Sequence, residues 1–212
     1  MYMPYQTEQE QFWAGNFGDD YVDRNYNEAL LAAKTANFAK MLSRFSGFTG
    51  GGGGVLELGA NVGLNAIALK RLFPKIQIDV VEINKKAADE CRKIQGVGVF
   101  EGSILDFSTD KTYDLTFTSG VLIHIAPEKL EVVYRCLYEH SKRYILISEY
   151  YNPTPVEVTY RGNKNRLFKR DFAGEIMKLY ADLRLTDYGF VYHGDPNFPS
   201  DDATWFLLEK SH

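Results

Sequence analysis

The chain of 212 residues is long enough for one substantial α/β domain with a small cap, and its 45% apolar and 25% charged residues suit an ordinary soluble globular protein. A formal charge of −4 argues against a general nucleic-acid binder, which carries a basic surplus, while leaving room for a local basic patch. The cysteines Cys91 and Cys136 show no CxxC or CxxH spacing, so neither a disulfide framework nor a zinc site is expected.

The start, MYMPYQTEQEQFW, lacks a basic segment followed by an apolar one, and no apolar run approaches a membrane span; a cytoplasmic address without membrane association is the expectation. EQEQFWAGNFGDDYVDRN reads as polar helix with interleaved aromatics, broken at Gly15 and Gly18. NEALLAAKTANFAKMLSRF has Leu30, Leu31, Phe38, Met41, Leu42 and Phe45 at helical spacing and runs to the glycine tract Gly50–Gly54. Residues 1–49 are thus expected to form a helical cap on a core of residues 50–212, within one domain.

From Val55 strands and helices alternate. VLEL is a short buried strand and VGLNAIALKRLF a helix stopped by Pro74. IQIDVVEI is a strand, and NKKAADECRKIQ a helix with an Asn cap that ends near Gly96. VGVFEGS is a strand leading into a loop, YDLTFTSGVLIHI a strand and then a turn, PEKLEVVYRCLYEHS a helix and RYILISEYY a strand. NPTPVEVTYRGNKNRLFKRDF is expected to be an irregular basic excursion over the sheet's C-terminal edge. FAGEIMKLY is a helix, and LRLTDYGFVYH and ATWFLLEK form an antiparallel hairpin. This order predicts a doubly wound, mostly parallel sheet.

The two glycine clusters differ in position. Gly50–Gly54 precedes its strand, and no Walker lysine follows, so it reads as a flexible joint between cap and core. Gly59 and Gly63 lie where a strand runs into a helix, the place where a nucleotide is held. Glu82 ends the next strand, where a carboxylate can bond both hydroxyls of a ribose. Glu57, at the mouth of the turn, is unwelcome beside a pyrophosphate but suits an aminoacyl ammonium. This favours S-adenosylmethionine over NAD. An NAD-dependent oxidoreductase and a non-catalytic nucleoside-binding protein are the competing readings.

From Val55 to about Tyr151 the chain resembles class I S-adenosylmethionine-dependent methyltransferases. Through FWAGNFGDDY, LELGANVGLN, GVLIHI, ISEYYNPTPVEVTYRG and FKRDFAG it resembles, more narrowly, methyltransferases associated with pseudaminic acid biosynthesis. The resemblance implies a Rossmann-like fold of seven strands with an antiparallel terminal hairpin. It implies S-adenosylmethionine as cofactor, with Gly59, Asn61 and Gly63 forming the turn beneath it. Asn61 stands where a third glycine is common, either to meet the cofactor carboxylate or to take the turn's unusual backbone. Ile83 would lie beside the adenine and Ser103 and Ile104 at its edge, although Ser103 stands where many such enzymes have Asp. Ser119, Gly120 and Val121 would close over the methionine portion.

For the acceptor, a small polar and anionic metabolite or sugar derivative methylated on oxygen or nitrogen is expected. His124, just past the fourth strand, is the candidate base, or else a residue packing the following turn. Glu149, Tyr150 and Tyr151 leave the fifth strand at the same edge and are candidate residues of the catalytic and acceptor pocket, with core packing the alternative. Among the basic residues of the excursion, Arg161 and Arg170 are candidate anion ligands with Tyr160 beside them; a solvated charged face is the alternative. In the cap, Trp13, Tyr21 and Arg24 would cover the cofactor, unless Trp13 only packs. The acid pair Asp201 and Asp202 is assigned to loop solvation, and no metal is expected.

Overall fold

A computed structural model describes residues 5–22, 27–48 and 53–211. The N-terminal segment forms α1 (Glu8–Ala14), α2 (Asn16–Val22) and α3 (Glu28–Met41). Thr7 opens α1 with a capping box: its hydroxyl accepts from the Glu10 amide while Glu10 accepts from the Thr7 amide. Gly15 separates α1 from α2 as expected, but Gly18 does not break a helix. It lies buried within α2, because a Cβ there would stand 1.9 Å from the carbonyl oxygen of Trp13. Only a residue without a side chain lets the two short helices fold this closely. The third helix stops at Met41, ahead of the glycine tract, where Leu42 leaves helical geometry.

The core follows as β1 (Gly54–Leu58), α4 (Leu64–Leu72), β2 (Gln77–Glu82), α5 (Lys85–Arg92) and β3 (Val97–Glu101). It continues through β4 (Tyr113–Ser119), α6 (Leu130–His140) and β5 (Ser141–Glu149). Then come β6 (Val156–Tyr160), β7 (Asn163–Lys169), α7 (Phe172–Leu179), β8 (Leu183–Val191) and β9 (Ala203–Lys210). Seven strands form one sheet in the order β3-β2-β1-β4-β5-β9-β8, with β9 antiparallel to both its neighbours. The order reverses between β1 and β4, which creates the crevice where open α/β sheets bind ligands.

Both sheet faces are covered, which is why the central strands read as near-continuous apolar runs. Leu31, Phe38, Leu69, Val80 and Phe117 fill the face under α3 and α4. Leu58, Leu137, Ile147, Phe172 and Ile176 fill the other, under α6 and α7. The third helix thus belongs to the sheet's covering layer, whereas α1 and α2 lie at the cavity. Of the glycine tract, Gly50–Gly52 fall outside the described residues. Gly53 and Gly54 are tied down: the Gly53 carbonyl accepts from Gln77, and the Gly54 amide donates to Asp114 at 2.7 Å.

The basic excursion is not irregular. Strands β6 and β7 pair as a separate antiparallel ribbon closed by Arg161 and Gly162, with φ of +48° and +83°. Two consecutive positive φ values make the two-residue turn whose twist matches paired strands. The alternation in VEVTY and the Arg-Gly dipeptide carry this signal, which the density of charge on the segment obscures. Among the described residues, no helix is long and apolar enough to cross a membrane.

Candidate active site

The loops after β1, β2, β3 and β4, the helices α1 and α2, and the β6–β7 turn surround a cavity of about 370 Å³. Its floor is the turn Gly59–Gly63. Gly59 and Gly63 take φ of +79° and +78°, and a Cβ on Gly59 would stand 2.6 Å from a Val121 methyl. Asn61 adopts φ of +49°, a conformation that Asn tolerates better than most residues. Four of the turn's amides are engaged within the protein: Gly59 and Ala60 donate to the Val81 carbonyl, Asn61 to Glu82 and Gly63 to the Ala60 carbonyl. Such a turn lets the backbone approach a ligand closely. Gly63 caps α4 and is not itself at the cavity wall.

Glu82 is 8% exposed and closes the cavity at the tip of β2. One carboxylate oxygen accepts from Asn61 N at 2.7 Å and the other from Asn84 N at 2.8 Å. The Ile83 amide also favours the charged carboxylate, and lone-pair capacity remains for a ligand hydroxyl. Burial raises its pKa, and the backbone donors oppose that shift. Asn84 also joins this wall to the N-terminal helices. Its side-chain oxygen caps α5 at Ala87 N, while its amide donates to Asp19 and to the Trp13 carbonyl.

Glu57 is not at the turn's mouth. It is fully buried beneath the turn, because odd-numbered residues of β1 point into the layer under α3 and α4. One oxygen accepts from Asn65 Nδ2 at 2.6 Å and the other has no partner. The Asn65 oxygen in turn accepts from Lys34 Nζ at 2.8 Å, so α3, α4 and β1 meet in a polar chain. Burial lifts Glu57 to about 7, with Asn65 and Lys34 pulling the other way. Lys34 itself lies at the cavity wall, and burial lowers its pKa.

Beyond Glu82, Ile83, Ser103 and Ile104 line the cavity, and Ser119, Gly120 and Val121 line it on the β4 side. The Ser103 hydroxyl donates to Glu10 of α1, which also reaches the cavity. The Gly120 amide donates to the Ser148 carbonyl at 2.9 Å, and Val121 N donates to Glu149 at 3.0 Å.

Opposite lies an aromatic group: Trp13, Tyr21, His124, Tyr150, Tyr160 and the nearby Arg161. The Trp13 ring lies 4.6 Å from His124 and 5.3 Å from Tyr21, centroid to centroid. His124 and Tyr160 are 5.0 Å apart, and the Arg161 guanidinium lies 5.8 Å over Tyr160. His124 Nδ1 is 2.6 Å from the Arg166 carbonyl oxygen. A carbonyl only accepts, so Nδ1 carries the proton and Nε2 of the neutral ring keeps its lone pair. Burial pushes the imidazole down to about 4, and the carbonyl bond recovers only part of the shift.

Besides Glu57 and Gly63, three expected site residues lie away from the cavity wall. Glu149 is 2% exposed and faces away from the cavity, its oxygens accepting from Val121 and Ile123 amides. It holds the loop that presents His124. Tyr151 is 42% exposed and bridges to Arg170 at the base of β7. Arg170 is committed to Glu175 at 2.8 Å, and Glu175 also accepts from Tyr134. Arg24 lies outside the described residues. Conversely, the sequence reading overlooks Glu10, Lys34 and Asp201, all of which reach the cavity; Asp201 lies by Tyr150 and is not merely a solvated loop acid. Nothing local marks these three, because helices and a hairpin loop remote in sequence deliver them.

No family model matches the chain, and no curated protein sequence matches it. Solved structures do. Magnesium protoporphyrin IX methyltransferase from Synechocystis PCC 6803, with S-adenosylhomocysteine bound, superposes with a TM-score of 0.69 at 14% identity, covering 95% of this chain and 98% of that one. The 1,6-didemethyltoxoflavin-N1-methyltransferase of Burkholderia thailandensis gives a TM-score of 0.70 at 14% identity, over 100% and 94% of the two chains. The N-methyltransferase NodS of Bradyrhizobium japonicum WM9, in complex with S-adenosylhomocysteine, gives 0.62 at 14% identity over 96% and 97%. The chain therefore has the Rossmann-like fold that these methyltransferases share, across nearly its whole length.

Proposed function

We propose that the protein is an S-adenosylmethionine-dependent methyltransferase acting on a small polar acceptor. The observation that carries this reading is the pairing of Glu82 with the Gly59–Gly63 turn at the switch point, on a fold shared with enzymes crystallised with this cofactor or its product. The residues present suit it. Glu82 offers a carboxylate at the cavity wall for the ribose hydroxyls. Ile83, Ile104, Ser103 and Glu10 offer an apolar slot with a polar end for the base. Gly59, Asn61, Ser119, Gly120 and Lys34 surround the space left for the aminoacyl part, with Glu57 acting from beneath through Asn65.

When bound, the cofactor supplies a methyl group on a sulfonium, already activated for in-line displacement. What remains for the protein is alignment, exclusion of water and, for a protonated nucleophile, a proton acceptor. Trp13, Tyr21 and Tyr160 cover the reaction space, and His124 presents the Nε2 lone pair. With its pKa near 4, His124 suits hydrogen bonding to and orienting an acceptor hydroxyl or amine more than holding a proton at neutral pH. Arg161, on the aromatic side of this cavity, favours an acceptor with an anionic group. A sugar acid of the kind implied by the resemblance to pseudaminic acid-associated methyltransferases meets that description.

Calorimetric titration with S-adenosylhomocysteine and with NAD tests the cofactor. Micromolar binding of the thioether without binding of NAD is expected, and the reverse overturns the proposal. Release of S-adenosylhomocysteine on adding a metabolite extract, with the methylated product identified, tests transfer.

A further inference from the structure

We propose that Glu10, delivered by the N-terminal helix α1, selects the base of the cofactor by accepting a hydrogen bond from the purine's exocyclic amine. The inference rests on the cofactor reading above and adds a specificity residue from outside the nucleotide-binding core.

Along the sheet edge, the loop after β3 stands beyond the Glu82 end of β2, and its polar side chain is Ser103. That hydroxyl is already used. Its one proton goes to Glu10 Oε1, and its oxygen accepts from Leu105 N at 2.9 Å. Ser103 therefore has no donor left for a base. Glu10 is 7% exposed, and its second oxygen accepts from Gln6 N at 2.7 Å and Thr7 N at 2.8 Å, with the Thr7 hydroxyl at 3.3 Å. Oε2 is thereby occupied, while Oε1 has Ser103 as its one described partner and a lone pair to spare. The cavity wall here offers a ligand an acceptor held by the capping box of α1 on one side and by Ser103 on the other. An acceptor fixed in this way favours an amine at the six-position of the purine over hydrogen.

The two sides of the carboxylate can be tested separately, because a capping box accepts Gln as well as Glu at this position. In Glu10→Gln the amide oxygen is retained on Gln6 N and Thr7 N, so the NH₂ turns toward Ser103 and the cavity. The experiment measures affinity for S-adenosylhomocysteine and for its analogue with the six-amino group replaced by hydrogen. Wild-type protein is expected to prefer the amine by about tenfold or more, as for a hydrogen bond to a charged group. Glu10→Gln is expected to lose most of that preference. Thr7→Ala, which weakens the helix start without altering the carboxylate, is expected to weaken both ligands alike and keep the ratio. An unchanged ratio in Glu10→Gln, or an equal loss of ratio in Thr7→Ala, overturns the inference while leaving the cofactor reading intact. Failure of wild-type protein to bind either ligand overturns both.

Discussion

The amide of Asn61 donates to the carboxylate of Glu82 across 2.7 Å, which ties the floor of the cavity to its side wall. The other Glu82 oxygen holds Asn84, whose side chain reaches α2 and the end of α1. One carboxylate thus organises the turn after β1, the start of α5 and the attachment of the N-terminal helices. Its proposed ribose contact is laid on top of this scaffold.

Replacing Glu82 by Gln keeps the shape but turns an NH₂ against one of the two backbone donors. A stability loss of about 1–3 kcal/mol is expected from the amide left without an acceptor. Affinity for S-adenosylhomocysteine is expected to fall at least tenfold. Urea denaturation and calorimetry check the two effects. Wild-type affinity in a destabilised variant would confine Glu82 to the scaffold.

His124 separates into two functions. Asn at this position can still donate to the Arg166 carbonyl but brings no lone pair to the place of Nε2; Ala does neither. If Nε2 orients the acceptor, both variants lose turnover by about tenfold, the worth of one hydrogen bond, and both keep cofactor affinity. Near-wild-type turnover in His124→Asn alongside a loss in His124→Ala assigns the ring to packing between Trp13 and Tyr160.

The central fold is legible in the sequence because strands buried on both faces have few alternatives to apolar runs, and because Asn84, Gly96 and Pro74 punctuate the helices. Glycine spacing and Glu82 locate the cavity for the same local reason. The chain's own pattern is misleading where one cause imitates another. Gly18 resembles a helix breaker but is a close-packing glycine, and the charge on β6 and β7 hides their alternation. Glu57, two residues before Gly59, points beneath the sheet edge because side chains alternate along β1. Glu10, Lys34 and Asp201 belong to the cavity through tertiary packing alone.

Glu149 gives a pH test of the loop that carries His124. Burial lifts its pKa to about 7, although the Val121, Leu122 and Ile123 amides and Thr118 favour the charged form. A raised folded-state value means that the native state holds a proton that the unfolded state releases above its ordinary value near 4.5. This contribution is fully present below that value and is lost as the pH rises through about 7. Glu149→Gln, which does not titrate, is expected to show a shallower decline in stability over this window, by up to about 1.4 kcal/mol per pH unit. Urea melts of both proteins between pH 4.5 and 8 measure the slopes; parallel curves refute the assignment.

The two arginines expected to clamp an anion are set apart by their surroundings. Arg161 lies at the β6–β7 turn with its guanidinium over Tyr160, whereas Arg170 is held by Glu175, and through it by Tyr134. Arg161→Gln is therefore expected to raise the acceptor KM by about tenfold, a charge-assisted bond's worth, with kcat, fold stability and S-adenosylhomocysteine affinity close to wild type. Arg170→Gln is expected to do the opposite: it leaves the Glu175 carboxylate short of its cation and loosens the junction of β7 with α7, lowering the melting temperature with little change in KM. Steady-state kinetics with the identified acceptor and thermal melts of both variants make the comparison. A KM effect confined to Arg170→Gln would move the acceptor's anionic group to the base of the ribbon and away from the aromatic wall.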